Sequence, residues 1–257
     1  MSTSRPGYFL NPYTKQLQFY GTYPKPGFRA SADKSRIIID ASANRPAFFI
    51  IGGDLFTSTS DLTCILAVSG AGGLVSSVTS NAIYYLYAIN NGGSLALIAD
   101  VRSPHSADGN NGPRGFSPWT YVGAFATNSS SQADPFRSFG GRYQTMDHGV
   151  AGGTSVNHTG TTNDTKKTLI LPTTIKFLSG VLRVSGGTIG QTGRITGGTA
   201  FSGTYYWVLD SATASVTQGF FTFPMEDPPN VYVDIGNAAQ TLRFWPVGWI
   251  EDPSEWL

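Results

Sequence analysis

The sequence has one cysteine, Cys64, which excludes an intrachain disulfide and a cysteine-built metal centre within one chain. Its flanks, Leu62-Thr63-Cys64-Ile65-Leu66, read as a strand, so the thiol is expected as a small buried hydrophobe. Charge is also scarce. Charged residues make up 13% of the chain and the net charge is +1, about half of ordinary charged-residue usage. Such a balance gives no electrostatic reason to expect nucleic acid or an anionic membrane as partner. No apolar run reaches the length of a membrane-spanning helix, so no membrane insertion is expected. Residues 1–16 lack the apolar core of an export signal, which points to synthesis in the cytoplasm. Sustained helical periodicity and heptads are missing as well.

Glycine is abundant at 31 of 257 residues, and aromatics reach 13%. Short β-rich runs punctuated by turn residues predict an all-β chain with a sandwich or jelly-roll-like arrangement of short antiparallel strands. The clearest signal is Ile83 to Ala126. Ile83 to Ile89 is dense in aromatic and β-branched residues, Asn90-Asn91-Gly92-Gly93 supplies the positive-φ positions of a hairpin, and Ser94 to Val101 returns. Tyr85 and Tyr87 fall on one face and Tyr84 and Leu86 on the other, so this strand is expected to be covered on both sides. Tyr121 to Phe125 reads as a third strand.

Three segments are expected. Residues 1–34 form an extended N-terminal arm, broken by prolines and rich in anchors such as Tyr8, Phe9 and Tyr13. Residues 35–163 form a motif-bearing β-domain or half-domain, with strands at Arg36–Asp40, Ala47–Ile51, Leu62–Val68 and Leu74–Val78. Residues 164–257 form a second β-half or smaller β-domain, with strands at Thr168–Leu171, Thr174–Phe177, Val181–Val184, Tyr205–Leu209, Gly219–Phe223, Val231–Ile235 and Thr241–Phe244. An aromatic C-terminal tail ends in Trp256-Leu257.

Several patterns bear on chemistry. Gly70 to Gly73 has neither the lysine of a phosphate loop nor a following helix, and reads as a turn or bulge. His105, His148 and His158 lie among loop residues without metal-ligand spacing. Asp54, Asp61, Asp100 and Asp108, with Glu226, Glu251 and Glu255, nominate no acid–base pair for glycan cleavage. Asn128-Ser129-Ser130 and Asn157-His158-Thr159 match a glycosylation acceptor, which matters only in a glycosylating pathway. No catalytic, cofactor-binding or metal residue is therefore named. Trp207 is expected in the core. The residues best suited to partner contact are Tyr8, Phe9, Tyr13, His105, Arg114, Trp119, Trp249, Trp256 and Leu257. They combine terminal aromatics with the long loop Ser103–Pro118, which is either a contact surface or an ordered connection.

Tyr84 to Ala99, followed by a Pro/Gly-rich loop and Trp119 to Asn128, resembles a segment of bacteriophage virion surface proteins of the tail-fibre, tail-associated or capsid-decoration type. The resemblance covers about residues 80–130. The loop here is longer than in that group, and the strand after it lacks the usual basic pair. The resemblance implies a non-enzymatic structural protein without cofactor, residing in the virion after synthesis in the host cytoplasm. Its implied partners are capsid or tail proteins and copies of itself, in trimers by analogy with fibres and decoration proteins. A receptor-binding or secreted carbohydrate-binding protein holding a host glycan on exposed aromatics is the alternative, and a glycan-cleaving enzyme a more distant one.

Overall fold

The structure is a computed structural model. It describes residues 26–105, 109, 111–138, 156–159, 165–186, 192–198, 218–236 and 240–251, and the backbone alone of 7–10, 17–20, 139, 142–145, 206–210 and 216–217. At the start, β1 (Gly7–Leu10) and β2 (Leu17–Tyr20) pair antiparallel. Next come β3 (Phe28–Ala30), β4 (Arg36–Ile39), β5 (Ala47–Ile51), β6 (Asp54–Ser58) and β7 (Leu62–Ile65). The hairpin region supplies β8 (Ile83–Asn91), β9 (Ser94–Asp100) and β10 (Trp119–Ala126). Four short strands follow: β11 (Phe136–Phe139), β12 (Arg142–Thr145), β13 (Val156–Thr159) and β14 (Thr165–Thr168). The last third holds β15 (Ile175–Gly186), β16 (Thr192–Thr196), β17 (Tyr206–Asp210), β18 (Val216–Pro224), β19 (Asn230–Ile235) and β20 (Gln240–Glu251).

The result is an all-β domain of antiparallel strands in several sheets. The largest runs β18-β15-β20-β12-β11-β3-β4-β7, with β13 also pairing β20. It draws strands from the arm segment (β3) and from both later segments, so all three share hydrogen-bonded structure. A second sheet orders β10-β8-β9, a third β14-β19-β16-β17, and β5-β6 is a two-stranded ribbon. Among the described residues no helix is long and apolar enough to cross a membrane.

The β10-β8-β9 sheet is the middle of the packing. Asn90 Oδ1 accepts a 2.8 Å hydrogen bond from Gly93 N, and Gly92 and Gly93 take positive φ, as the two-residue turn requires. Tyr84, Leu86, Ala88, Leu97, Ala99 and Phe125 point into the main core. Tyr85, Tyr87, Ile89, Ile98, Tyr121 and Ala124 point the other way into a second apolar cluster. Both faces are covered, as the aromatic alternation implied. The β10–β8 register shifts between Tyr121 and Gly123, and a Cβ on Gly123 would lie 2.6 Å from the Phe28 ring.

Four expected strands are drawn differently. Leu74–Val78 is not one: Leu74 makes only isolated bridges, to Ser69 and Ala99. Thr168–Leu171 is displaced, because the chain leaves the sheet after Thr168 to bury Leu169 and Leu171. The segments at Thr174–Phe177 and Val181–Val184 join into β15, twelve residues long. Ser179-Gly180, read as a break, is a packing device. Ser179 Oγ and Thr222 Oγ1 share a 2.8 Å hydrogen bond, and the Phe244 ring occupies the space where a Gly180 side chain would stand.

Candidate interaction surfaces

The loop after β9 is tied down at several of its described residues. Asp100 is fully buried, and its Oδ2 accepts from Arg114 N at 3.0 Å while Arg114 Nε lies 3.6 Å away. Tyr87 Oη donates to the Arg102 carbonyl at 2.6 Å, and Gly112 N donates to the Ser103 carbonyl at 3.1 Å. Gly112 has φ +72° and abuts the Trp119 indole, which in turn meets Tyr87 edge-on at 5.2 Å. Phe116 packs on the same cluster. These contacts make the described loop the cover of the second apolar cluster, an ordered connection.

Among the residues nominated from sequence, His105, Arg114 and Trp119 therefore come together on this one loop and its following strand. His105 is exposed, with its backbone N donating to Ser103 Oγ at 3.1 Å. Arg114 is half exposed beside Asp100, and Trp119 is half buried. Trp249 is different. It is 3% exposed and opposite Leu178 in the main core, so a partner meeting the folded chain does not touch its side chain. The period-2 alternation of β20 carries Trp249 inward and Ile250 outward, a fact hidden in the sequence by the register shift opposite Ser179/Gly180. Tyr8 and Phe9 lie in β1 opposite Phe19 and Gln18. Tyr13, Trp256 and Leu257 lie outside the described residues, as do His148, Asp108 and Glu255. The Trp207 side chain is likewise outside them.

Several of the remaining candidates serve the fold. Asp61 Oδ1 accepts from Ala41 N at 2.9 Å. His158 is buried, and burial together with Lys167 lowers its pKa. Cys64 is fully buried and donates to the Gly73 carbonyl at 3.1 Å; burial pushes the thiol up to about 12, far from thiolate chemistry. Glu251, 3% exposed, accepts from Tyr121 Oη and, at 2.8 Å, from Thr174 Oγ1. Nearby, Thr173 N donates to Tyr85 Oη at 3.1 Å. Burial, then the Glu251 charge, holds Tyr121 well above the ordinary tyrosine pKa. This cluster locks the end of β20 to the β10-β8 pair.

A surface that sequence reasoning missed lies on the outer face of β18-β15-β20. Leu178, Leu182, Val184, Phe223, Leu242 and Phe244 fill the inner face. Register then puts the alternate residues outside in rows across the three strands. One row is Pro224–Phe177–Ile250, the next Thr222–Ser179–Gly248, the next Phe220–Val181–Trp245, and the next Gln218–Arg183–Arg243. Phe177 is 43% exposed and Phe220 61%. Arg183 and Arg243 are directly opposed, an arrangement that costs free energy unless an anion joins it. Among the described residues Arg183 Nε is buried without a hydrogen-bond partner. The sequence signal was the alternation of β15 itself, Phe-x-Ser-x-Val-x-Arg, but its neighbours are set only by pairing. No family model matches the chain, and no curated protein matches it.

Proposed function

We propose that this chain is a non-enzymatic structural protein of a bacteriophage particle, built as a sandwich-like β-domain and assembled on the capsid or tail surface. The outer face of β18-β15-β20 carries this reading. Phe177 and Phe220 stand exposed on it, Phe220 in one row with Val181 and Trp245 and Phe177 in another, with the row Thr222–Ser179–Gly248 between them. A patch of aromatic side chains rimmed by polar groups fits burial against a protein neighbour. The described part of the loop Ser103–Pro118, packed against Tyr87 and Trp119, fits a module whose connections stiffen the sheet they cross. The phage setting comes from the resemblance of residues 80–130 to virion surface proteins. On this reading the chain is made in the host cytoplasm and carried in the virion, with no cofactor.

Particle incorporation tests the proposal. Quantitative mass spectrometry of purified, nuclease-treated particles is expected to find the chain at a fixed copy number relative to the major capsid protein. Particles that consistently lack it would overturn the reading.

A further inference from the structure

Pairing lays Gln218, Arg183, Arg243 and Asn157 side by side on β18, β15, β20 and β13, with neighbouring strands about 5 Å apart. The two cations are central in this row and an amide stands at each end. Among the described residues neither arginine forms an ion pair, and Arg183 Nε is buried without a hydrogen-bond partner. A buried, unsatisfied N–H costs free energy, and a second cation directly across the strand adds to that cost. Two residues further along the strands, about 7 Å away, stands the row Phe220–Val181–Trp245, with Phe220 61% exposed. The free chain thus presents an uncompensated positive pair beside an exposed aromatic row.

We propose that the neighbour covering this face is an acidic segment of another protein, which presents an Asp or Glu carboxylate to Arg183 and Arg243 and an apolar side chain to the Phe220 row. The carboxylate accepts charge-assisted hydrogen bonds from both guanidinium groups, gives Arg183 Nε its acceptor and neutralises the repulsion between the two strands. Charge complementarity selects an anion, and the aromatic row beside the arginines selects a protein as its source. A membrane surface or a nucleic acid presents many anions and is held by many cations, whereas this row holds two and the net charge of the chain is +1. A saccharide favours rings with a polar handle, but the ring that protrudes here is Phe220, while Trp245 is half buried. The row spacing sets the partner's pattern: an acidic residue and an apolar residue about 7 Å apart, as at i and i+2 of an extended segment. The proposal rests on the reading of this face as an assembly surface and names the chemistry of the chain that covers it.

The test is fluorescence anisotropy of three labelled polymers titrated with the full chain at low ionic strength, where surface charges are least screened. The polymers are a glutamate–tyrosine copolymer, polyphosphate and hyaluronate, matched in charge concentration. Wild type is expected to bind the copolymer about tenfold tighter than either of the others. A preference for polyphosphate or hyaluronate, equal binding of all three, or no binding would overturn the proposal. Arg243→Glu, at an exposed position, is expected to weaken copolymer binding about tenfold or more. It also replaces a like-charge pair by an opposite one, so its thermal midpoint is expected at or above that of wild type. Weakened binding together with a lowered midpoint would give Arg243 a structural role and overturn the proposal, as would unchanged binding. Phe220→Ala leaves charge untouched and is expected to weaken the copolymer severalfold but not polyphosphate; equal effects on both would overturn the part given to the aromatic row. Particles that take up Arg243→Glu at the wild-type copy number would sink the acidic partner and leave the assembly reading standing. A wild-type chain that prefers the copolymer but is absent from particles would do the reverse.

Discussion

Substituting Tyr121 by Phe removes one oxygen from the buried cluster at the end of β20 and changes little else. The ring stays among Tyr85, Tyr87 and Ala124, and Phe fills the same volume. What is lost is the hydroxyl's hydrogen bond to Glu251 Oε1. Hydrogen bonds to charged groups contribute about 1.5–3 kcal/mol, and here the acceptor is buried, so the expected loss is about 2 kcal/mol. Thr174 Oγ1 still donates to the same oxygen, which keeps Glu251 from being stranded and sets the upper bound. Thr174→Val removes that second donor. Because both donors serve one oxygen, the double variant is expected to lose more than the sum of the singles, by about 1 kcal/mol, within the range found for contacting residues. Urea denaturation followed by tryptophan fluorescence measures all four corners of the cycle. A Tyr121→Phe loss under about 0.5 kcal/mol, or strict additivity with Thr174→Val, would refute the view that this oxygen ties β20 to the central sheet.

Three further outcomes follow from the same packing. Tyr85, Tyr87 and Tyr121 all have pKa values raised by burial above the ordinary value of 10. They fold as neutral phenols, so their contribution is fully present below pH 10 and is lost as pH rises through the folded values. Absorbance at 295 nm is expected to show these three ionising together with loss of the far-ultraviolet spectrum; their titration near pH 10 in a folded chain would contradict the burial. Gly112→Ala puts a Cβ 2.2 Å from the Trp119 ring at a positive-φ position, and is expected to cost about 1–3 kcal/mol. Gly53→Ala, also at positive φ but with open space around it, is expected to cost only about 1 kcal/mol, so equal losses in thermal melts would contradict the loop packing. Phe125→Ala is expected to cost about 3–5 kcal/mol, whereas Phe220→Ala is expected to leave stability within about 0.5 kcal/mol.

How far the chain could be read without coordinates varied with how local the causes were. The β8–β9 hairpin was legible because Asn90-Asn91-Gly92-Gly93 specifies its own turn and because the aromatic alternation around Tyr84–Tyr87 states that both faces are covered. Cys64 was legible for the same reason: its apolar flanks make a strand. The unbroken β15 was not, since Gly180 is required by Phe244, a residue more than sixty positions away that no local pattern names. Trp249 looked like a contact because Trp245-Pro246-Val247-Gly248-Trp249 shows no clean alternation, and only the register shift decides which tryptophan turns inward. The outer face was invisible for a related reason. Phe177, Phe220 and Trp245 become neighbours through strand pairing, and Arg183 faces Arg243 only once β15 and β20 are in register. Local turn chemistry can be read from sequence, whereas a surface assembled from three distant strands cannot.

On the proposed reading the outer face of β18-β15-β20 is buried when the particle assembles. Cryo-electron microscopy of the particle that contains the chain tests it most directly. The expected density has Phe177, Phe220 and Trp245 covered by a neighbouring protein chain. A particle in which that face points into solvent while another surface of the chain makes the contacts would contradict it.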